Sequence, residues 1–268
     1  MNYILPPFNY TGSKYKLLDQ LIPEFDPTKR VFVDLFSGGG SVWTNVLHLY
    51  DIVMVNDIIG ELVDIQRALL ESDAIIEQTK TLAVGKEDQQ AYHDLRDSFN
   101  REKTAPKLWA LMLCCTNNMM RFNQKLLFNQ TFGRRTFNSQ TEKKTNLFTA
   151  HIRAYREKII FSSKNFTQVD VKIPAFFYID PPYSNTEAGY NSYWGPADDL
   201  KLADYCKNLH AQGQTFCVSG SLVHAGEHCR LLDEMIKGGF SYRQLECNYN
   251  KVSRRGKKET VEILVKNF

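Results

Sequence analysis

No stretch of this sequence approaches the roughly 18 consecutive apolar residues that a membrane-spanning helix needs. The opening, MNYILPPFNYTGSK, lacks the basic start, apolar centre and small-residue cleavage site of a secretory leader. The six cysteines (Cys114, Cys115, Cys206, Cys217, Cys229 and Cys247) include no C-x-x-C pair and no histidine at zinc-ligand spacing. Thiols scattered in this way belong to a reducing compartment, so neither a disulfide nor a structural metal is expected and the protein is predicted to be cytoplasmic. Internal repeats and low-complexity tracts are also missing. The net charge of +3 is too small to argue for a polyanionic partner by itself.

The 268 residues are 43% hydrophobic, 12% aromatic and 24% charged, a composition that buries a core and excludes a disordered chain. The charge is distributed unevenly. Residues 101–165 hold 13 Lys or Arg against three Glu, while the remainder of the chain is acidic. Phe122, Phe128, Phe132, Phe137, Phe148 and Tyr155 interleave with those cations, as expected of a nucleic-acid contact surface. The alternative is a solvated face balanced by acids elsewhere in the fold. A second cluster, KVSRRGKK at 251–258, would be the exposed tip of a hairpin.

After Gly12, the spacing of Leu17, Leu18, Leu21 and Ile22 predicts a short amphipathic helix over 14–22. The apolar run at 31–36 ends in Ser37-Gly38-Gly39-Gly40-Ser41, after which Val42, Val46, Leu47 and Leu49 resume a helical pattern. A second strand at 52–56 ends at Asp57, and Ile58, Leu62, Ile65 and Leu69 mark the next helix. This β-α-β-α order predicts an α/β fold with a doubly wound parallel sheet. From about residue 74 to 155 strand signals vanish, leaving a helix around 107–120 and a polar, basic segment at 121–146. Strands return at 159–162, 176–180, 215–219, 240–248 and 260–265, the last two as an antiparallel pair closing the sheet. The expected division is therefore a sheet domain of 1–60 and 157–268, with residues 61–156 inserted between its halves as a helical, basic domain.

In open α/β sheets ligands bind at the carboxyl ends of strands, and three strands here end in motifs able to meet there. Asp34-Leu35-Phe36-Ser37-Gly38-Gly39-Gly40 would expose backbone amides to a nucleotide-like ligand, or be a plain tight turn. It departs from G-x-G-x-x-G, which weighs against a nicotinamide-dependent oxidoreductase. Asp57 is placed to accept both hydroxyls of a ribose, or to cap the following helix. The most specific motif is Asp180-Pro181-Pro182-Tyr183, in which two prolines fix a carboxylate and a carbonyl beside an aromatic ring. A stiff turn alone would not need the tyrosine.

These residues resemble the Dam-like (D12 class) DNA adenine-N6 methyltransferases. The resemblance runs through Tyr10-Thr11-Gly12-Ser13-Lys14, the loop at 34–40, Asn56-Asp57-Ile58, Arg121-Phe122-Asn123, Phe128-Asn129, Phe132-Gly133-Arg134, Asp180 to Tyr183 and Glu262-Ile263-Leu264-Val265. It implies a Rossmann-like sheet of seven strands, S-adenosylmethionine as cofactor, and target recognition as the role of the inserted domain at 61–156. Tyr10, Lys14, Asp34, Phe36, Gly38, Gly40, Asp57 and Asp180 would then surround the methyl donor, with Asp180, Pro181, Pro182 and Tyr183 as the catalytic set. Asp180 and the Pro181 carbonyl would accept hydrogen bonds from the amine of a flipped-out adenine, and Tyr183 would stack on its ring. Arg121, Phe122, Asn123, Gln124, Lys125, Gln130, Arg134 and Arg135 would contact double-stranded DNA, with Phe122 and Asn123 filling the gap left by the flipped base. A monomer or weak dimer is expected, acting at the nucleoid, with a cognate restriction endonuclease left open as a partner. GATC is the leading target, although the tip at 124–127 and Gln130-Thr131 lack the glycine and proline of GATC-reading relatives. Three other readings remain open: methylation of cytosine N4, methylation of adenine in RNA, and a catalytically silent binding module. Methylation of cytosine C5 is disfavoured because the chain has no Pro-Cys dipeptide.

Overall fold

The computed structural model describes residues 2–123, 125–184, 194–246 and 260–268. The predicted first helix is a composite. 3-10 turns at Tyr15–Leu17 and Ile22–Glu24 flank α1 (Leu18–Leu21), which buries Leu18 and Leu21. β1 (Val31–Asp34) runs into the glycine loop and then α2, confined to Trp43–Val46. β2 (Ile52–Asn56) leads to α3 (Gly60–Glu71), followed by α4 (Ala74–Leu82), α5 (Gln89–Arg101), α6 (Ala105–Cys114), an irregular hairpin and α7 (Ser139–Ala154). After these come β3 (Ile159–Ser162), β4 (Ala175–Ile179), α8 (Pro196–Ala211), β5 (Thr215–His224), β6 (Glu227–His228), α9 (Arg230–Lys237), β7 (Ser241–Gln244) and β8 (Thr260–Lys266).

The strands form one sheet in the order β3-β2-β1-β4-β5-β8-β7, with β6 paired to the end of β5. From β3 to β5 every pairing is parallel, and β8 lies antiparallel to both β5 and β7. The mixed α/β fold and the antiparallel closing pair match the sequence expectation. The described residues contain eight strands, not seven, because the two-residue β6 folds back on an extended β5. β7 is shorter than the predicted 240–248 segment, and KVSRRGKK at 251–258 falls outside the described residues.

β1 and β4 are buried along their whole length, which is why they read as continuous apolar runs instead of alternating ones. Successive residues still face opposite sides. Phe32, Phe176, Tyr178 and Leu264 join one core, while Val31, Val33, Phe177, Ile179 and Val265 join the other. The first core continues without a break into the inserted helices through Trp109, Phe99 and Phe148. Each large side chain buried in this way contributes ~1.5–3 kcal/mol.

The helix expected around 107–120 stops at Cys114. Asn117 and Asn118 adopt left-handed backbone with φ of 59° and 53°, a conformation Asn tolerates better than most residues. The Asn118 side chain donates to the carbonyls of Met112 (3.0 Å) and Leu113 (2.9 Å), satisfying the open end of α6. Met119 and Met120 prolong the apolar pattern past this point, so periodicity alone overshoots.

Candidate active site

Strand order reverses between β1 and β4, opening a cleft at their carboxyl ends. Residues 10–14, 34–39, 56–58 and 180–183, together with Trp194, line the cavity there. The sequence-predicted residues Tyr10, Lys14, Asp34, Phe36, Gly38, Asp57, Asp180, Pro181, Pro182 and Tyr183 are thus brought to one place.

The glycines are required by contact. A Cβ on Gly38, whose φ is +47°, would stand 2.7 Å from Tyr10 Cε1, and one on Gly39 would stand 2.6 Å from Tyr10 Cβ. The loop therefore lies directly against the tyrosine. Gly40 turns at φ +89° behind it, against the Trp43 indole. Gln66 of α3, fully buried, donates to the Gly38 carbonyl at 2.8 Å and accepts from Trp43 Nε1 at 3.0 Å.

Asp57 uses both carboxylate oxygens on backbone. Oδ2 accepts from Gly38 N–H and Oδ1 from Ile59 N–H, each at 2.9 Å. It joins the glycine loop to the start of α3 and still lines the cavity, each oxygen keeping acceptor capacity. Burial raises its pKa above the usual carboxylate value. Asp34 accepts from Trp43 N–H at 3.2 Å through Oδ2, while its buried Oδ1 has no hydrogen-bond partner among the described residues. Burial pushes its pKa well up, and the nearby Asp180 adds to the effect. Asp34, Asp57, Asp180 and Asp198 give the cavity four carboxyl groups against the two ammonium groups of Lys14 and Lys164, an acidic excess that suits a ligand carrying positive charge. Phe36 supplies a flat wall, 5.6 Å edge-on from Trp194 and 5.7 Å from Phe166.

Asp180 is the most heavily contacted of these carboxyl groups. Lys14 Nζ lies 2.7 Å from each of its carboxylate oxygens and also donates to the Gly12 carbonyl at 3.1 Å. The hydroxyls of Tyr183 and Ser219 both donate to Oδ1, each at 3.0 Å. Lys14 Nζ also sits 5.2 Å from the centre of the Tyr183 ring. Burial, then the Asp180 charge, raises the Tyr183 phenol pKa well up, which keeps its proton in place.

The predicted DNA-facing residues lie on the hairpin between α6 and α7, away from this cavity. Gln124 falls outside the described residues. Arg121 donates to the side-chain oxygen (2.9 Å) and the carbonyl (2.8 Å) of Asn129 across the hairpin. Asn123 Oδ1 accepts from the N–H groups of Lys125 and Leu127, closing the tip. Phe122, 7% exposed, packs edge-on to Phe128 at 5.7 Å, and Gln130, 8% exposed, caps its neighbour Thr131 N–H at 3.2 Å. Both side chains here belong to the protein interior, because the hairpin folds down onto α5. Lys125, Arg134 and Arg135 are exposed. The two arginines open onto a second cavity shared with Lys86, Lys143 and Lys144, whose described lining contains no Asp or Glu.

Sequence reasoning missed Gln66, Tyr178 and Ser219, and named Asn56 within a motif without giving it a role. Asn56 donates to the carbonyls of Leu35 (3.1 Å) and Lys164 (3.0 Å) and accepts from the Ser162 hydroxyl (2.7 Å), tying three strand ends together. Gln66 carries a usable signal, a polar side chain within the apolar stripe Leu62, Ile65, Leu69 of α3.

A family model described as D12 class N6 adenine-specific DNA methyltransferase matches residues 10–250. Over 286 aligned residues the chain is 30% identical to Type II methyltransferase M.FokI of Planomicrobium okeanokoites, covering 100% of this chain and 43% of that protein. It is also 30% identical to Modification methylase StsI of Streptococcus sanguinis, covering 99% of this chain and 43% of the relative. A DNA adenine methylase of Haemophilus influenzae is 23% identical over 78% of this chain and 76% of its own length. The chain therefore spans less than half the length of the first two relatives.

Proposed function

Because the chain belongs to the D12 class of N6 adenine-specific DNA methyltransferases, we propose that it methylates N6 of an adenine flipped out of a short duplex target. S-adenosylmethionine is the proposed donor, supplying a methyl group already activated on a sulfonium. The acidic lining of the cavity fits its positive charge, and the Asp34 oxygen without a partner among the described residues is the clearest opening for it. Tyr10 and the glycine loop would seat the donor, Asp57 its ribose, and Phe36 its flat ring.

The single observation that carries this reading is the Asp180 carboxylate, gripped by Lys14, Ser219 and Tyr183 at the strand-order reversal. Adenine's exocyclic amine is a poor nucleophile because its lone pair is delocalised into the ring. Hydrogen bonds from that amine to Asp180 and to the Pro181 carbonyl draw the nitrogen towards tetrahedral geometry and aim its lone pair. The Lys14 ammonium steadies the carboxylate, and the Tyr183 ring offers a stacking face worth ~1–3 kcal/mol. The exposed Lys125, Arg134 and Arg135 are the proposed DNA contacts, with Arg121 and Asn123 shaping the hairpin that presents them. GATC stays the first sequence to try, and the altered tip favours a different choice of flanking bases.

The test is radiolabelled methyl transfer to adenine-containing duplexes, with the product nucleoside identified by mass spectrometry. The wild type should yield N6-methyladenine, and folded Asp180→Ala should yield almost none. Retention of more than about a tenth of turnover by Asp180→Ala, a barrier change under ~1.4 kcal/mol, would overturn the assignment. N4-methylcytosine as product would replace the substrate reading while keeping the site. Mapping modified bases in a host free of adenine methylation would identify the target sequence.

A further inference from the structure

Two hydroxyls are buried side by side on neighbouring strands. Tyr178 lies on β4, one residue before its end, and Ser219 on the neighbouring β5, 1% and 0% exposed. Their oxygens are 2.7 Å apart, and Ser219 Oγ is 3.0 Å from Asp180 Oδ1. An ionised carboxylate only accepts hydrogen bonds, so Ser219 gives its single proton to Asp180. With that proton committed, the Tyr178 hydroxyl is left to donate to Ser219. The bonds therefore run one way, from Tyr178 to Ser219 to Asp180. Burial raises the Tyr178 phenol pKa well up and so keeps it a donor.

The same geometry separates the two oxygens of Asp180. Oδ1 accepts from both Ser219 and Tyr183, whereas among the described residues Oδ2 accepts from Lys14 alone, whose ammonium lies 2.7 Å from each oxygen. A carboxylate offers about two acceptor sites on each oxygen, which leaves spare capacity at Oδ2. We propose that Ser219, backed by Tyr178, is a positioning residue that locks the Asp180 carboxylate by Oδ1 and so presents Oδ2 to the target amine. This inference rests on Asp180 being the acceptor for that amine. Neither hydroxyl touches the reacting atoms, and each acts through the carboxylate it orders.

The experiment is steady-state methylation of a duplex substrate by the full chain carrying Ser219→Ala, Tyr178→Phe or both, with Asp180→Ala alongside and thermal melting as the check on folding. Ser219→Ala should lower kcat about 10- to 100-fold, the rate equivalent of one hydrogen bond to a charged group, and leave KM for DNA within about threefold. Tyr178→Phe should lower kcat by a smaller factor, and the double variant should be no slower than Ser219→Ala, because Tyr178 works only through Ser219. A folded Ser219→Ala with unchanged kcat, beside an inactive Asp180→Ala, would overturn the positioning role and leave the catalytic reading standing. Losses that simply multiply in the double variant would overturn the one-way chain. If Ser219→Ala does not fold, Tyr178→Phe decides, and its unchanged kcat would overturn the proposal. An active Asp180→Ala would instead remove the reading on which the proposal depends.

Discussion

Asp34 stands at the carboxyl end of β1 with one oxygen held by Trp43 N–H and the other unpartnered among the described residues. A buried carboxyl in that condition costs the free protein stability, and its raised pKa expresses the cost. Asp34→Asn keeps an acceptor for Trp43 and removes the charge. The melting temperature of the ligand-free variant should be equal to or above wild type, while donor affinity by calorimetry should fall about tenfold or more, the scale of one lost charge-assisted hydrogen bond. A large drop in melting temperature with undiminished affinity would make the carboxylate structural instead. At this scale the sequence was legible where neighbouring positions carried the chemistry: the glycines after Asp34 and the prolines after Asp180 state their own constraints. Ser219 was not, because a serine in a strand acquires meaning only when folding brings it to a carboxylate 39 positions away.

The hairpin between α6 and α7 is fastened to the helices by Asn100 of α5. Its side chain donates to the Phe128 carbonyl at 3.0 Å and accepts from Phe128 N–H at 2.7 Å, in the manner of a neighbouring strand. Asn100→Ala removes both bonds, ~1–3 kcal/mol of local stability. DNA affinity and base discrimination should weaken while donor affinity stays at the wild-type level, and a parallel loss of donor binding would show that the hairpin does not move separately. Strands were legible because parallel strands covered on both faces are continuous apolar runs. The hairpin was not, since Phe122 and Gln130 are inside only by virtue of α5 lying beneath them. At the far edge of the sheet, Glu24 bonds to Lys266 of β8 at 2.8 Å and to Arg243 of β7. The hydrogen bond from Lys266 lowers the Glu24 pKa, outweighing the opposing effect of burial. A folded-state pKa below the unfolded one adds stability above the ordinary carboxylate range, which is lost as pH falls through the folded value. Glu24→Gln should therefore melt below wild type at neutral pH, and the gap should close in acid. A gap independent of pH would assign the effect to packing.

Across the whole molecule the charge is segregated. The cations of 101–165 sit in a chain that is otherwise acidic; Lys86, Arg134, Arg135, Lys143 and Lys144 share one cavity, while in another Asp34, Asp57, Asp180 and Asp198 outnumber Lys14 and Lys164. DNA affinity should then fall steeply with salt, by a slope of roughly 0.9 per phosphate neutralised, and charge reversal at Arg134 and Arg135 should flatten it. An unchanged slope in filter-binding or fluorescence titrations would move the DNA surface elsewhere. Fold class and the order of the motifs that line the candidate site could be read from the chain, whereas this difference between two cavities depends on which helices and strand ends come together. The tie between Lys14 and Asp180 has a consequence of its own. It joins positions 166 residues apart. During synthesis the lysine leaves the ribosome long before the aspartate has been translated, so a chain truncated before residue 180 has one half of the pair and an incomplete candidate site. The candidate cavity is accordingly a late product of translation, and on the proposed function the nascent protein would gain activity only once β1 and β4 have closed on one another.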